Sequence, residues 1–319
     1  RDVYTGNFTE TCSQDRGACV ISCRTPAGRR VTAGECSQSH DTHIHGKEGS
    51  SMDTTRLVGK NILITGAAQG MGAAIARDYA AQGANVCLGD VNTEGVDEVV
   101  AEINAAGGGK AIGVRLDVTS EEEAQAAVDA VVEAFGEINV IVNNAGINKP
   151  LFFEDITRDN WNKIMDVNAW GTLNCMQKAA NQMIAQGKRD YPYKIINVGS
   201  ILSRDAFDDV VVYSASKHAV LAMIKGGAKA LVDHNITVNG YGPGVVRTEL
   251  WEQLDKDLVA IGKFEKEGES MDSLAENMIL MKRYSYPEDV TGTASFLASP
   301  DSDYMTGQLI MIDGGMVLH

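Results

Sequence analysis

"KNILITGAAQGMGAAIARDYAAQGA" (Lys60–Ala84) is the stretch on which the fold turns. It opens as a short, β-branched apolar run, breaks at Gly66, and resumes with apolar residues at helical spacing until Gly83. An unbroken apolar run of that length reads as a strand buried on both faces. A glycine just past the last helical turn reads as a stop. The stretch is therefore strand, tight turn, helix.

The same unit recurs down the chain. "NVCLGD" is a strand, "NTEGVDEVVAEINAAGG" a helix, "AIGVRLDV" a strand, and "SEEEAQAAVDAVVEAFG" a helix capped by Ser120. "INVIVNNAG" is the fourth strand, and one long amphipathic stretch (158–186) leads from it to "KIINVGS". A buried-looking helix around "VVYSASKHAV" (211–220) follows, then the strand "ITVNGYGPG" and a polar, helix-prone segment (249–280). "PEDVTGTASFLAS", with Pro287 near its first turn, and the strand "QLIMIDGG" close the pattern. Strict alternation with continuous apolar strands predicts a doubly wound parallel sheet with helices on both faces, in a single domain over 52–319. In such sheets ligands bind beyond the carboxyl ends of the strands, so functional residues should cluster there or on the helices just after.

Charge and cysteine use narrow the function. Of 319 residues, 44% are hydrophobic and 22% charged, ordinary for a globular protein. Residues 1–51 hold six Lys/Arg and six Asp/Glu, so the whole formal charge of −15 falls on 52–319. An acidic body argues against nucleic acid and against an anionic membrane surface, both of which need a basic face. No apolar run approaches the roughly 20 residues of a spanning helix. Cys87 and Cys175 read as single buried thiols of a reducing compartment, which places the protein in the cytoplasm.

The first 51 residues follow other rules. They are rich in Ser, Thr, Gly, Arg and Cys, without helical or strand period, and read as a leader, tag or linker. The competing reading is a metal or disulfide module built from Cys12, Cys19, Cys23, Cys36, His40, His43 and His45, whose spacing matches no zinc pattern. The sequon at Asn7 carries little weight without a secretory leader.

"TGAAQGMG" (65–72) has the chemistry of a dinucleotide loop. Glycines let the backbone approach a pyrophosphate, and the helix N-terminus offers N–H groups and a positive dipole end. Gly66, Gln69, Gly70, Met71 and Gly72 are the candidate contacts, although G-x-x-x-G-x-G is not the commoner G-x-G-x-x-G spacing. Asp90, ending the second strand, suits a ribose 2′-OH and would repel a 2′-phosphate. No Lys or Arg stands in 67–71 or 91–94, so the cofactor is expected to be NAD. The plainer reading of Asp90 is a turn aspartate.

Tyr213 and Lys217 lie four apart and share a helix face, with Ser214, Ala215 and Ser216 between them leaving room for a ligand. A phenol titrates near about 10, and a neighbouring ammonium should lower it toward acid/base use. Alone, such a pair is usually a half-exposed helix face. Ser200, ending a strand thirteen residues upstream, changes that.

With TGAAQGMG, Asp117–Val118, NNAG (143–146), VNAWG around Asn168, Ser200, Y-x-x-x-K, PGVVRT (243–248) and DGG (313–315) in order, the chain from Leu57 onward resembles the short-chain dehydrogenase/reductase family, in its NAD-linked branch. The resemblance implies a Rossmann-type fold and a role for each matching residue. Tyr213 would give and take the proton, Ser200 would bind the substrate oxygen, and Lys217 would bind the nicotinamide ribose and lower the tyrosine pKa. Asn168 would hold a water relaying protons from Lys217. Asp117 and Val118 would bracket the adenine, Asn143 and Ala145 would line the adenosine ribose side, and Val246 and Thr248 would hold the carboxamide, with Pro243 and Gly244 as further cofactor contacts. Asn143, Asn144 and Asn168 also admit purely structural readings.

Substrate choice is expected from 201–212, 149–153 and 249–273. "GPGVVRTELWEQLD" and "PEDVTGTASFLASPDSDYMTGQ" look like the acetoin reductase/butanediol dehydrogenase members and, more loosely, the polyol dehydrogenases. That resemblance implies a small vicinal diol, acyloin or polyol, with Trp251 as a lid residue. Arg204, Asp205, Asp208 and Asp209 are either substrate-oxygen ligands or a solvated loop. The alternatives are a 3-oxoacyl or cyclic-ketone reductase and a non-enzymatic cofactor-binding regulator; "NVGSI" does not fit a serine hydrolase. The family also implies a homotetramer built on 158–186, 211–233 and the last strand. Some members carry a divalent ion at the C-terminus, here near His319, but the sequence itself calls for no metal.

Overall fold

Seven of the apolar runs do pair into one parallel sheet: β3 (Asn61–Thr65), β4 (Asn85–Asp90), β5 (Ala111–Arg115), β6 (Val140–Asn143), β7 (Tyr193–Val198), β8 (Ile236–Pro243) and β9 (Leu309–Ile312). Their order across the sheet is β5-β4-β3-β6-β7-β8-β9, and every adjacent pair is parallel. Chain order reverses between β3 and β6, which is where a crevice opens beyond the strand ends. The computed structural model describes residues 55–318 and, nearer the N-terminus, a ladder of β1 (Cys23–Arg24) against β2 (Arg30–Val31). The chain divides into two units, 1–51 and 52–319, and the ladder belongs to the first. Cys12, Cys19, Cys36, His40, His43, His45 and the Asn7 sequon lie outside the described residues.

Strand side chains alternate between faces, and each face has its own core. Ile62, Ile64, Val86 and Leu88 pack under α1 (Gly70–Ala81), α2 (Thr93–Ala106) and α9 (Glu288–Ala298). Leu63, Cys87 and Ile141 pack under α3 (Glu121–Phe135), α5 (Gly171–Ala185) and α6 (Val211–Leu231). Fully burying each such side chain contributes roughly 1.5–3 kcal/mol, so the sheet is a stiff base for its loops. A third cluster, around Leu202, Leu254 and Leu258, lies off the sheet, under α7 (Glu249–Ala260) and α8 (Glu269–Asn277).

One expected helix, and one helix-prone segment, come out divided. The stretch 158–186 is α4 (Arg158–Met165), a π-turn (Asp166–Trp170) and then α5. The π-turn carries Asn168, fully buried, and Thr172 Oγ1 donates to the Asn168 carbonyl at 2.7 Å. A wide turn is a known way to aim one side chain inward from a helix. The segment 249–280 becomes two helices because Gly262 and Gly268 adopt φ of +79° and +89°, which breaks a regular helix between them. The predicted strands also end early: residues past Thr65, Arg115, Asn143 and Val198 leave the ladder to form the loops of the site.

Candidate active site

At the end of β3 the chain turns so closely that two glycines have no substitute. A Cβ on Gly72 would lie 2.1 Å from the Gly66 carbonyl oxygen, and one on Gly66 would lie 2.8 Å from Ala145 Cα. Asn144 stitches the loop to the end of β6: its Nδ2 donates to the carbonyls of Thr65 (3.0 Å) and Gly66 (2.8 Å). Thr65 Oγ1 accepts from the amides of Asn144 and Ala145, both at 3.0 Å. Gly70 and Met71 open α1, whose first turn holds no acidic side chain. The first amides of such a helix lack intrahelical acceptors and face any anion placed there. Gln69 caps α1 without a side-chain hydrogen bond and is exposed.

Asp90 ends β4 beside this loop. Its carboxylate accepts from the amides of Ala68 (3.1 Å) and Asn92 (3.0 Å), which fixes its direction and leaves lone pairs for a further donor. Arg115 sits opposite Asp90 in the ladder, but its guanidinium is held by Glu123. The Asp117 carboxylate accepts from the Thr119 amide and hydroxyl, and these bonds lower its pKa. Val118 is buried against Gly171. Asn143 is turned away from the loop: its Nδ2 donates to Asn197 Oδ1 at 2.7 Å and its Oδ1 is buried without a hydrogen-bond partner. Ala145, by contrast, stays at the loop surface.

These residues fit a dinucleotide. The loop is closed to any Cβ, the helix presents its amides, and Asp90 is pre-aimed at the strand end. Beyond the loop, a cavity of about 370 Å³ brings Met71, Ser200, Tyr213, Lys217, Val246 and Thr248 together. Pro243 and Gly244 are also in its wall. Asp313 braces this side: a Cβ on Gly244 would lie 3.0 Å from Asp313 Cα, and Asp313 accepts from the amides of Gly315 and Val317.

Ser200 follows β7 and is locked by a reciprocal cap. Its amide donates to Ser203 Oγ at 3.1 Å, and its Oγ accepts from the Leu202 amide at 3.1 Å. The hydroxyl proton is then left for the cavity side, where Ser200 hydrogen-bonds the Tyr213 phenol. Lys217, one turn along α6 from Tyr213, donates from Nζ to the Val198 carbonyl at 2.8 Å. That Nζ lies 5.6 Å from the Tyr213 ring centroid. Asn168 holds the wall behind them: its Oδ1 accepts from the Ile147 amide (2.8 Å), and its Nδ2 donates to the Ile147 carbonyl (2.9 Å) and Ser216 Oγ (3.0 Å). Three bonds to the chain make Asn168 a brace between the β6 loop and α6.

The charge states differ from the expected ones. Burial pushes the Tyr213 phenol up to about 12, opposed by the Ser200 hydrogen bond, and pushes the Lys217 ammonium down to about 8. Both shifts share one cause, since a low-dielectric site disfavours either charged form. Within the described chain, then, burial outweighs the expected lowering of the phenol by Lys217. The site holds a neutral phenol, ready to donate a proton.

The rest of the cavity wall comes from the 201–212 and 249–273 segments and also from Leu274, Met278 and Met316, which lie beyond both. Trp251 is in the wall, its Nε1 donating to Ser270 Oγ at 3.3 Å. Asn148 was not singled out by the sequence; it lines the cavity and its Oδ1 is buried without a hydrogen-bond partner. In the 149–153 segment, Lys149 instead pairs with Asp257 of α7 at 2.6 Å. Arg204 donates to the Leu309 carbonyl and Asp205 caps its own loop, so neither faces substrate. Asp208 and Asp209 reach the cavity mouth, where both pair with Lys263, at 3.1 and 3.7 Å. Among the described residues no group of three or more His, Cys, Asp or Glu is arranged to hold a metal ion, and His319 lies outside them.

Comparison with known proteins agrees with this geometry. Residues 66–317 match the family described as enoyl-(acyl carrier protein) reductase. The chain is 38% identical over 258 residues to a diacetyl reductase [(S)-acetoin forming] of Staphylococcus epidermidis, covering 81% of this chain and 98% of that one. It is also 38% identical over 262 residues to a galactitol 2-dehydrogenase of Agrobacterium fabrum, covering 82% and 98%. A crystal structure of a short-chain type dehydrogenase/reductase from Mycobacterium marinum superposes with a TM-score of 0.75 at 34% identity, over 85% of this chain and 100% of the other.

Proposed function

The chain belongs to the short-chain dehydrogenase/reductase family, oxidoreductases of alcohols and ketones that use a nicotinamide cofactor, and from that premise we propose that it is an NAD(H)-linked enzyme interconverting a secondary alcohol bearing a neighbouring oxygen, a vicinal diol or acyloin, with its ketone. The observation that carries this reading is the convergence of Ser200, Tyr213 and Lys217 on one cavity continuous with Met71, Val246 and Thr248. Relatives that reduce diacetyl or oxidise galactitol support the choice of two adjacent oxygens.

The residues divide the work. Ser200, whose hydroxyl bonds the Tyr213 phenol, turns that hydrogen bond to the substrate oxygen and holds it beside Tyr213. In reduction the Tyr213 phenol, kept protonated by burial, gives its proton to that oxygen as the carbonyl becomes an alcohol; in oxidation the same atom takes it back. When bound, the nicotinamide ring supplies or accepts the hydride at the carbon. Lys217 reaches the nicotinamide ribose from one turn along α6. Asn168 fixes the β6 loop against α6 so that these distances hold. Gly66, Gln69, Gly70, Met71 and Gly72 take the pyrophosphate, Asp117, Val118 and Ala145 the adenosine end, behind which Asn143 ties β6 to β7, and Pro243, Gly244, Val246 and Thr248 the nicotinamide end.

NAD rather than NADP is supported by the aimed carboxylate of Asp90 and by the pairing of Arg115, the nearby cation, with Glu123. Residues 1–51 are read as a segment apart from the catalytic domain of 52–319. The two buried free thiols, Cys87 and Cys175, fit a cytoplasmic setting, and no helix among the described residues is long and apolar enough to cross a membrane. Exposed Trp161, Leu173 and Ile184 on α4 and α5 support a homotetramer assembled through those helices, which light scattering would check.

The test is a panel of alcohols and ketones followed by NADH absorbance with both nucleotides. Turnover of 2,3-butanediol or acetoin with NAD(H) well above NADP(H) is expected. Preference for a 3-oxoacyl thioester would favour the acyl-reductase alternative.

A further inference from the structure

Away from Ser200 and Tyr213, the cavity wall changes character. Leu202, Phe207, Trp251, Leu254, Leu258 and Phe264 face it from three separate segments. Open acceptors on that side are confined to the Asp208 and Asp209 carboxylates at the mouth, and further in the polar side chains are already engaged. Ser270 Oγ donates to the buried Asp255 carboxylate and accepts from Trp251 Nε1. Lys263 pairs with Asp208 and Asp209 at the mouth. A substrate with hydroxyls along its whole length would have to leave them unpaired against leucines, at about 1–3 kcal/mol each.

Two side-chain oxygens of the wall break this pattern, those of Asn144 and Asn148, both buried acceptors without a partner. Asn144 is tied through its Nδ2 to the glycine loop at Thr65 and Gly66, which leaves Asn148 as the one outside the cofactor end. Buried amide oxygens are nearly always satisfied, so an orphan in a binding cavity points to a ligand donor.

We propose that the substrate is a vicinal diol or acyloin carrying an apolar arm, its second hydroxyl donating to Asn148 Oδ1 and its arm lying among Leu202, Leu254, Leu258 and Phe264. The proposal rests on the dehydrogenase reading above and narrows its substrate class. Small diols are turned over but leave the apolar end unfilled, and polyols are disfavoured.

The test compares NAD-linked oxidation of 2,3-butanediol, 2,3-hexanediol, 2,3-octanediol, 2-octanol and sorbitol. The expected kcat/KM rises about fourfold per added methylene until the arm fills the cavity. Sorbitol falls below butanediol. 2,3-Octanediol exceeds 2-octanol by about tenfold, and Asn148→Ala brings that ratio close to one. Leu258→Trp lowers the ratio of octanediol to butanediol by tenfold or more. Butanediol or sorbitol as the best substrate would overturn the proposal while leaving the dehydrogenase reading intact; so would an octanediol-to-octanol ratio untouched by Asn148→Ala. Turnover of none of these alcohols, with NADH binding retained, would overturn the dehydrogenase reading and the proposal together.

Discussion

The two ends of the cavity are built from different materials. At the cofactor end, position is set by backbone: Gly66 and Gly72 within contact of Ala145 and of each other, with Thr65 and Asn144 bonding the loop to β6. At the substrate end, position is set by side chains on two helices off the sheet, tied to the body by ion pairs such as Lys149–Asp257 and Lys263–Asp208. A backbone-built site tolerates no added atom and accepts one ligand shape. A side-chain-built site can be re-lined without unfolding the sheet, and that is where substrate choice can change while the cofactor stays.

This contrast can be broken at either end. Gly72→Ala should have the largest effect, because its Cβ would sit 2.1 Å from a backbone oxygen. Forcing the loop open should weaken NADH binding by about 100-fold or more and lower stability by about 1–3 kcal/mol, read by fluorescence titration and thermal melting. Asp90→Ala should weaken NAD(H) by about 10- to 100-fold through loss of a charged hydrogen-bond acceptor, with little change for NADP(H). Equal losses for both nucleotides would remove Asp90 from the ribose. Lys263→Ala should have the smallest effect. Its pair with Asp208 is solvent-facing and its contact with the buried Asp209 is long, at 3.7 Å, so KM for the alcohol should move by less than about fivefold and the melting temperature by a degree or two.

The same contrast explains what could be read without coordinates. The glycine loop was legible because its constraint is local: a strand, a turn that forbids Cβ atoms, and a helix start are contiguous in 61–72. Tyr213 and Lys217 were legible as an i,i+4 pair, and Ser200 as the end of an apolar strand. The apolar substrate wall was not, because Leu202, Leu254, Phe264, Leu274 and Met316 are scattered over more than a hundred residues, and 249–280 reads as polar. The π-turn at Asn168 left no periodic trace, since one widened turn shifts the helical phase only slightly. Asn148 was invisible for a plainer reason. Its significance is a missing partner, which only packing reveals. The pKa of Tyr213 came out opposite to expectation because residue spacing conveys which charge is near, while burial decides how much the charge costs.

The most direct measurement is alcohol oxidation by Tyr213→Phe, beside wild type, as a function of pH. With the phenol pushed up to about 12, wild-type kcat/KM for oxidation should climb steadily with pH across the range in which the protein is stable, as the phenolate fraction grows. The variant lacks the group that takes the proton, so its turnover should fall by at least about a thousandfold at every pH, with NADH affinity within about twofold of wild type. Turnover by Tyr213→Phe within tenfold of wild type, or an unchanged pH profile, would contradict the account.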